Sequence, residues 1–231
     1  MPTTERIPIQ ATSIGKKLLM ATTSVILFIY VVAHLAGNLK IFFGPDPFND
    51  YAAWLRVAGS PLFPNEGVLW IARVVLLAAL LVHVGAYVQL WRQKRRARTT
   101  AYRKFDPQVF NWMSRAMVWG GIAILGFVVF HILHLTTGHI QPDPVSGFQR
   151  HDPYENIIAG FSVWWVTGVY IIGVVALGMH LYHGLWSAMQ TFGINNSRYN
   201  EIRRPAAAAI ALVITVGYLA IPLAVMMGMV R

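Results

Sequence analysis

Polar and charged residues fall mostly between five apolar stretches, at about 18–43, 67–91, 112–136, 157–190 and 206–230. Each holds the ~20 residues that a helix needs to cross a ~30 Å hydrocarbon core. A spanning segment must satisfy its own backbone hydrogen bonds, which points to helices, and no stretch alternates as a barrel strand would. The pattern predicts an all-α fold: one membrane domain over 1–231, built as a transmembrane bundle of five helices. The fourth stretch exceeds the core thickness and is expected to tilt or to project beyond it. The first apolar run is too long for a cleavable signal and has no small-residue cleavage site, so it reads as a span. Between the first two spans, Pro47 to Leu55 reads as a short interfacial helix with aromatics on one face. Gln141 to Asn156, rich in Pro, Asp and Gly, reads as a loop.

Composition agrees with this pattern. Of the 231 residues 56% are hydrophobic and only 12% charged, about half the charged share of a soluble domain. With no cysteine, the chain has no disulfide, no thiolate catalysis, no iron–sulfur ligand and no covalent c-type haem link. The net charge of +10 sorts by side. If the N-terminus, the 92–115 connection and the 191–205 connection share one side, that side has 14 bases against three acids. The opposite side has five bases against six acids. Basic connections lie inside, which predicts a cytoplasmic N-terminus, an external C-terminus and an odd number of spans. The basic balance therefore calls for no nucleic acid. The densest run, Trp91 to Lys104, suits anionic membrane lipids or a cytoplasmic partner.

Six of the eight histidines lie in or at the ends of spans: His34 in the first, His83 in the second, His131 and His134 in the third, His180 and His183 in the fourth. Ionisable residues inside a membrane are costly and are usually functional. At 1.5 Å rise per residue, His34 and His131 fall toward the outer face and His83 and His180 toward the inner face, in two layers ~10–15 Å apart. Two imidazoles facing each other in a helical bundle fill both axial positions of a b-type haem, which leaves electron transfer as its work. Two haems at two depths would carry electrons across the membrane. Gly37, Gly85 and Gly184, near three of these histidines, either admit a flat ring to the backbone or serve ordinary helix packing. Two other readings fit the histidines: a zinc or copper site, which lacks thiolate and acidic ligands, and a proton relay in a transporter or channel, which lacks intramembrane acids.

The chain resembles the di-haem cytochrome b membrane anchor of succinate dehydrogenases and fumarate reductases in its five-helix, single-polypeptide form. The resemblance rests on Ser13-Ile14-Gly15-Lys16-Lys17, His34-Leu35-Ala36-Gly37-Asn38, and His180 through His183-Gly184-Leu185-Trp186-Ser187 to Gln190-Thr191-Phe192-Gly193. It is also carried by intervals of 49, 48 and 49 residues between His34, His83, His131 and His180. The resemblance implies two haems b, an outer one held by His34 and His131 and an inner one held by His83 and His180. It gives His134 and His183 no axial role. His183 then suits an inner propionate, and His134 the outer haem edge or a quinone. It further implies a flavoprotein subunit that oxidises succinate and an iron–sulfur subunit that feeds electrons to this anchor from the cytoplasmic side of the cell inner membrane. The acceptor is a quinone, commonly menaquinone when two haems are present; fumarate reduction is the reverse. A haem b anchor of another respiratory dehydrogenase is a related alternative.

Depth nominates secondary residues. Arg73 lies near the outer layer, and Ser13, Lys16, Lys17 and Arg115 near the inner one, as partners for haem propionates. Arg73 equally suits a snorkelling anchor, and the lysines the ordinary basic bias of the inner side. Asn38, Glu66, His134 and His139 are quinone candidates at the outer side, although Glu66 also suits the start of the second span. The place of a quinone-site carboxylate known in some relatives falls near Arg56, where this chain has no acid. In one branch of the family an acid two positions before the fourth-span ligand transfers protons. Gly178 stands there, so no such path is expected.

Overall fold

The computed structural model describes residues 12–97, 112–141, 147–194 and 196–231, with the backbone alone described at 112–116, 197 and 200. Among the described residues there are seven α-helices and no strand. They are α1 (Ser13–Asn38), α2 (Pro45–Val57), α3 (Gly67–Arg96), α4 (Trp112–His131), α5 (Pro153–Phe161), α6 (Trp164–Thr191) and α7 (Ser197–Met226). A 3₁₀ turn at Leu39–Phe43 extends α1, and a π turn at Ile132–Thr136 extends α4. Five segments are long and apolar enough to cross a membrane: Ser13–Phe43, Gly67–Arg96, Met117–Thr136, Trp164–Thr191 and Glu201–Met226. The chain is an all-α, multi-pass transmembrane protein.

Local chemistry sets the ends of these helices and corrects three expectations. α1 starts where the Thr12 hydroxyl accepts from the Gly15 amide at 3.0 Å, five residues before the apolar run begins. The stretch 157–190 is not one tilted helix. It breaks at Ser162–Val163, where the Ser162 hydroxyl bonds back to the Ile158 carbonyl and Val163 is extended. The freed Phe161 carbonyl accepts from the buried Thr167 hydroxyl at 3.0 Å. The preceding segment is not all loop: the Asp152 carboxylate accepts from the Glu155 amide, and Pro153 opens α5. Nor does the 191–205 connection extend to residue 205. The Asn196 side chain caps the Tyr199 amide, and α7 runs on through Pro205 and Pro222. The short helix expected at 47–55 forms as α2.

Along the bundle α1 packs on α3 and α6, and α6 packs on α4 and α7; α3 and α4 make no comparable approach among the described residues. Outward faces stay apolar, as at Ile29, Leu77, Ile122, Ile172 and Leu212, which suits lipid. Lipid tails provide no hydrophobic drive between helices, so close approach of small residues matters more. A Cβ on Gly173 would lie 2.3 Å from the Phe127 ring, one on Gly178 2.1 Å from Thr215 Oγ1, and one on Gly37 2.6 Å from the Tyr51 ring.

α2 and α5 close one end of the bundle. Ile41, Phe48, Tyr154, Ile157, Phe161, Val166, Ile221 and Val225 are buried together there. Asn49 joins the two helices: its Nδ2 donates to Asp152 Oδ1 at 2.9 Å, and its Oδ1 accepts from the Tyr154 amide at 3.1 Å. Removing one partner of such bonds costs about 1–3 kcal/mol. Asn49→Ala is therefore expected to lower the thermal midpoint of the purified protein. Asn49→Asp, which sets a carboxylate against Asp152, should lower it further.

Candidate functional site

The four histidines meet in two pairs. His34 on α1 faces His131 on α4, with ring centroids 5.8 Å apart and planes at 80°. His83 on α3 faces His180 on α6, at 6.3 Å and 59°. The helices that carry each pair are not close backbone neighbours. The imidazoles reach each other across the interior. His83 Nδ1 lies 3.2 Å from the Met20 carbonyl and 3.5 Å from the Thr23 hydroxyl. These residues lie 14 and 11 positions before His34, which separates the pairs by about 16–21 Å along α1. That is somewhat more than the interval expected from sequence.

The centroid separations are near the span of one metal between two imidazoles. A metal–histidine bond is about 2.0–2.1 Å, so two on opposite sides of one ion bring ring centroids to roughly 6–6.5 Å. Both observed separations lie close to this range. The inner pair also carries tautomer information. A carbonyl can only accept, so His83 donates from Nδ1 to Met20 and keeps the lone pair on Nε2. His180 Nδ1 is buried without a partner. A Cβ on Gly184, one turn beyond His180, would meet no atom within 4 Å, whereas Gly85, two positions from His83, lies on another side of α3. Gly37 serves packing instead, under Tyr51. Among the described residues no group of three or more His, Cys, Asp or Glu side chains comes together, as a tetrahedral metal site would need.

Of the two competing third-span histidines, His131 faces His34 and His134 does not. The His134 ring is buried at 3% exposure, and its Nε2 edge lies against the α5 backbone, 2.6 Å from where a Gly160 Cβ would be. Its Nδ1 is 3.0 Å from the Tyr170 hydroxyl. His134 is thus held in packing, with no open face toward a quinone. His183 packs edge-on against Trp186, which in turn stacks with Arg204.

Charged candidates separate by burial. Lys16 is turned inward at 9% exposure and makes no ion pair among the described residues, whereas Ser13 and Lys17 are exposed. Lys16 is therefore the one of these whose side chain turns into the bundle. Arg115 falls in the opening turn of α4, and its side chain lies outside the described residues. Arg73 stacks on Trp70 and approaches Glu66 at 3.8 Å, near the N-terminal end of α3. Glu66 also approaches Arg150 at 3.9 Å and sits in the left-handed region at φ 63°. Its amide bonds the Arg56 carbonyl, so the fold brings an acid beside the position where the sequence has none. His139 is exposed and bonds Thr137 Oγ1 at 2.7 Å, and Asn38 ends α1 one turn beyond His34. At Gly178 the Thr215 hydroxyl occupies the space that an acidic side chain would need.

Several site residues escaped the sequence reading. Tyr30 stacks on His34 at 5.2 Å, and Tyr218 lies 6.2 Å from it while donating to the Val31 carbonyl. The four-residue interval from Tyr30 to His34 was a usable helical signal; Tyr218 and Tyr170 gave none. Trp186 Nε1 and Arg203 Nε are buried donors without partners near the basic end of α6 and α7. No family model, curated protein or solved structure matches the chain.

Proposed function

We propose that this chain is the membrane anchor and electron-transfer subunit of a succinate:quinone oxidoreductase, with menaquinone as the favoured quinone. Two haems b would be held by His34 with His131 and by His83 with His180. The observation that carries this reading is the meeting of both histidine pairs across the bundle interior, at separations suited to one metal between two rings. With both axial positions filled, such a haem supplies one-electron transfer rather than oxygen chemistry. The chain's own residues do the rest. The helices hold the imidazoles apart from water. The Met20 carbonyl orients His83, and Tyr30 braces His34. Lys16, Trp186 and Arg203 offer buried donors for carboxylates at the basic end. The basic connections there would dock the iron–sulfur subunit, which in turn carries the flavoprotein, on the cytoplasmic side. Glu66, Asn38 and His139 remain the candidates for the quinone at the opposite end.

A reduced-minus-oxidised spectrum of the purified protein should show a b-type α-band. Its absence would leave a histidine relay of a transporter as the better reading. Co-purification from membranes should recover a covalent-flavin subunit and an iron–sulfur subunit. Recovery of a different dehydrogenase would reassign the anchor.

A further inference from the structure

Tyr170 is nearly buried at 5% exposure, midway between the two third-span histidines. Its hydroxyl lies 3.1 Å from His131 Nδ1 and 3.0 Å from His134 Nδ1. Its ring is clamped edge-on by Phe127 at 5.1 Å and Phe161 at 4.6 Å. The hydroxyl has one proton and two lone pairs, so it donates to at most one of these imidazoles. With that proton inside the bridge, two directions are possible. If Tyr170 donates to His131, the His131 proton sits on Nε2 and that nitrogen cannot bind a metal. If His131 donates from Nδ1 to the tyrosine oxygen, Nε2 keeps its lone pair and Tyr170 donates onward to His134 Nδ1. Under the haem reading the second direction is the one required, because His131 is the ring that faces His34.

We propose that Tyr170, backed by His134, is a positioning residue that holds the His131 ring in its metal-binding tautomer and tunes the outer haem separately from the inner one. The inference rests on the haem reading above. A ligand imidazole that donates its second N–H becomes a more basic ligand, with a fixed ring orientation. A more basic ligand favours ferric over ferrous iron and so lowers the reduction potential. The inner pair gets its bond of this kind from a backbone carbonyl, Met20 to His83, which no side-chain substitution removes. The outer pair gets its bond from a side chain and is therefore adjustable by sequence.

The test is a redox titration of the purified protein with its haems, following the absorption of both couples. The couple lost in His34→Ala identifies the outer haem. Tyr170→Phe keeps the ring and its aromatic contacts and removes only the hydroxyl. It should raise the outer potential by about a tenfold change in the reduction equilibrium, or 59 mV for one electron, with the inner couple unmoved. Selective loss of the outer haem in this variant also supports the role. Two unmoved couples, or two that shift together, overturn it while the haem reading stands. A parent protein without haem overturns both. Should Tyr170→Phe fail to assemble, the His134 pair decides. His134→Leu should raise the outer potential, and His134→Asn, whose amide oxygen can replace Nδ1 as acceptor, should restore it. Equal behaviour of those two variants overturns the relay.

Discussion

His34→Ala and His131→Ala are each expected to yield a protein with one haem where the parent has two. The rings of this pair meet at 5.8 Å, and removing either leaves one axial nitrogen facing a methyl group. The inner pair lies about 16–21 Å away along α1, so its haem should stay. Haem extraction should give half the parent value, and the b-type α-band should fall by about half. His83→Ala and His180→Ala should remove the other half. His134→Ala should keep both haems, because that ring bonds Tyr170 and packs on Gly160. Two retained haems in His34→Ala or in His131→Ala would refute the assignment of ligands.

Gly173→Ala should be among the most destabilising single-methyl additions in the bundle. The new Cβ would lie 2.3 to 2.9 Å from three atoms of the Phe127 ring, on the contact between α4 and α6. The ring has little freedom to yield, since it packs against Tyr170 at 5.1 Å and His131 at 6.0 Å. Overpacking of this kind costs typically 1–3 kcal/mol, which corresponds to about 2–12 °C of thermal midpoint for a chain of this size. Because α4 carries His131, the outer haem should be lost on heating before the inner one. Phe127→Leu in the same chain should recover part of the loss. An unchanged midpoint in Gly173→Ala would show that α4 and α6 can separate freely there. Gly126→Ala, in open space on α4, is the matched control and should leave stability within about 1 kcal/mol of the parent, the usual helix-propensity range for Gly and Ala.

Spans were legible because a hydrocarbon core demands long apolar runs, and all five appear close to where the pattern put them. Their ends were less legible. The break at Ser162–Val163 is hidden in an apolar run, because the hydrogen bonds that permit it come from Ser162 and Thr167 hydroxyls that look like ordinary span residues. Histidine pairing was legible from depth, since helical rise converts chain position into height. Height says nothing of azimuth. Which of His131 and His134 faces His34 depends on helix rotation and on the π turn at Ile132–Thr136, a local widening of the kind found at functional sites.

From the order of residues alone follow the membrane class, the number of spans, the helical fold and the two levels of histidine, because each reflects hydropathy, length or rise along one axis. Contacts between distant segments follow from none of these. The bridge of Tyr170 between two histidines, the Met20 carbonyl under His83 and Glu66 beside Arg56 each join residues that are 10 to 63 positions apart. Such meetings exist only after helices have chosen their neighbours and rotations, and close packing against glycines such as Gly160 and Gly173 makes that choice.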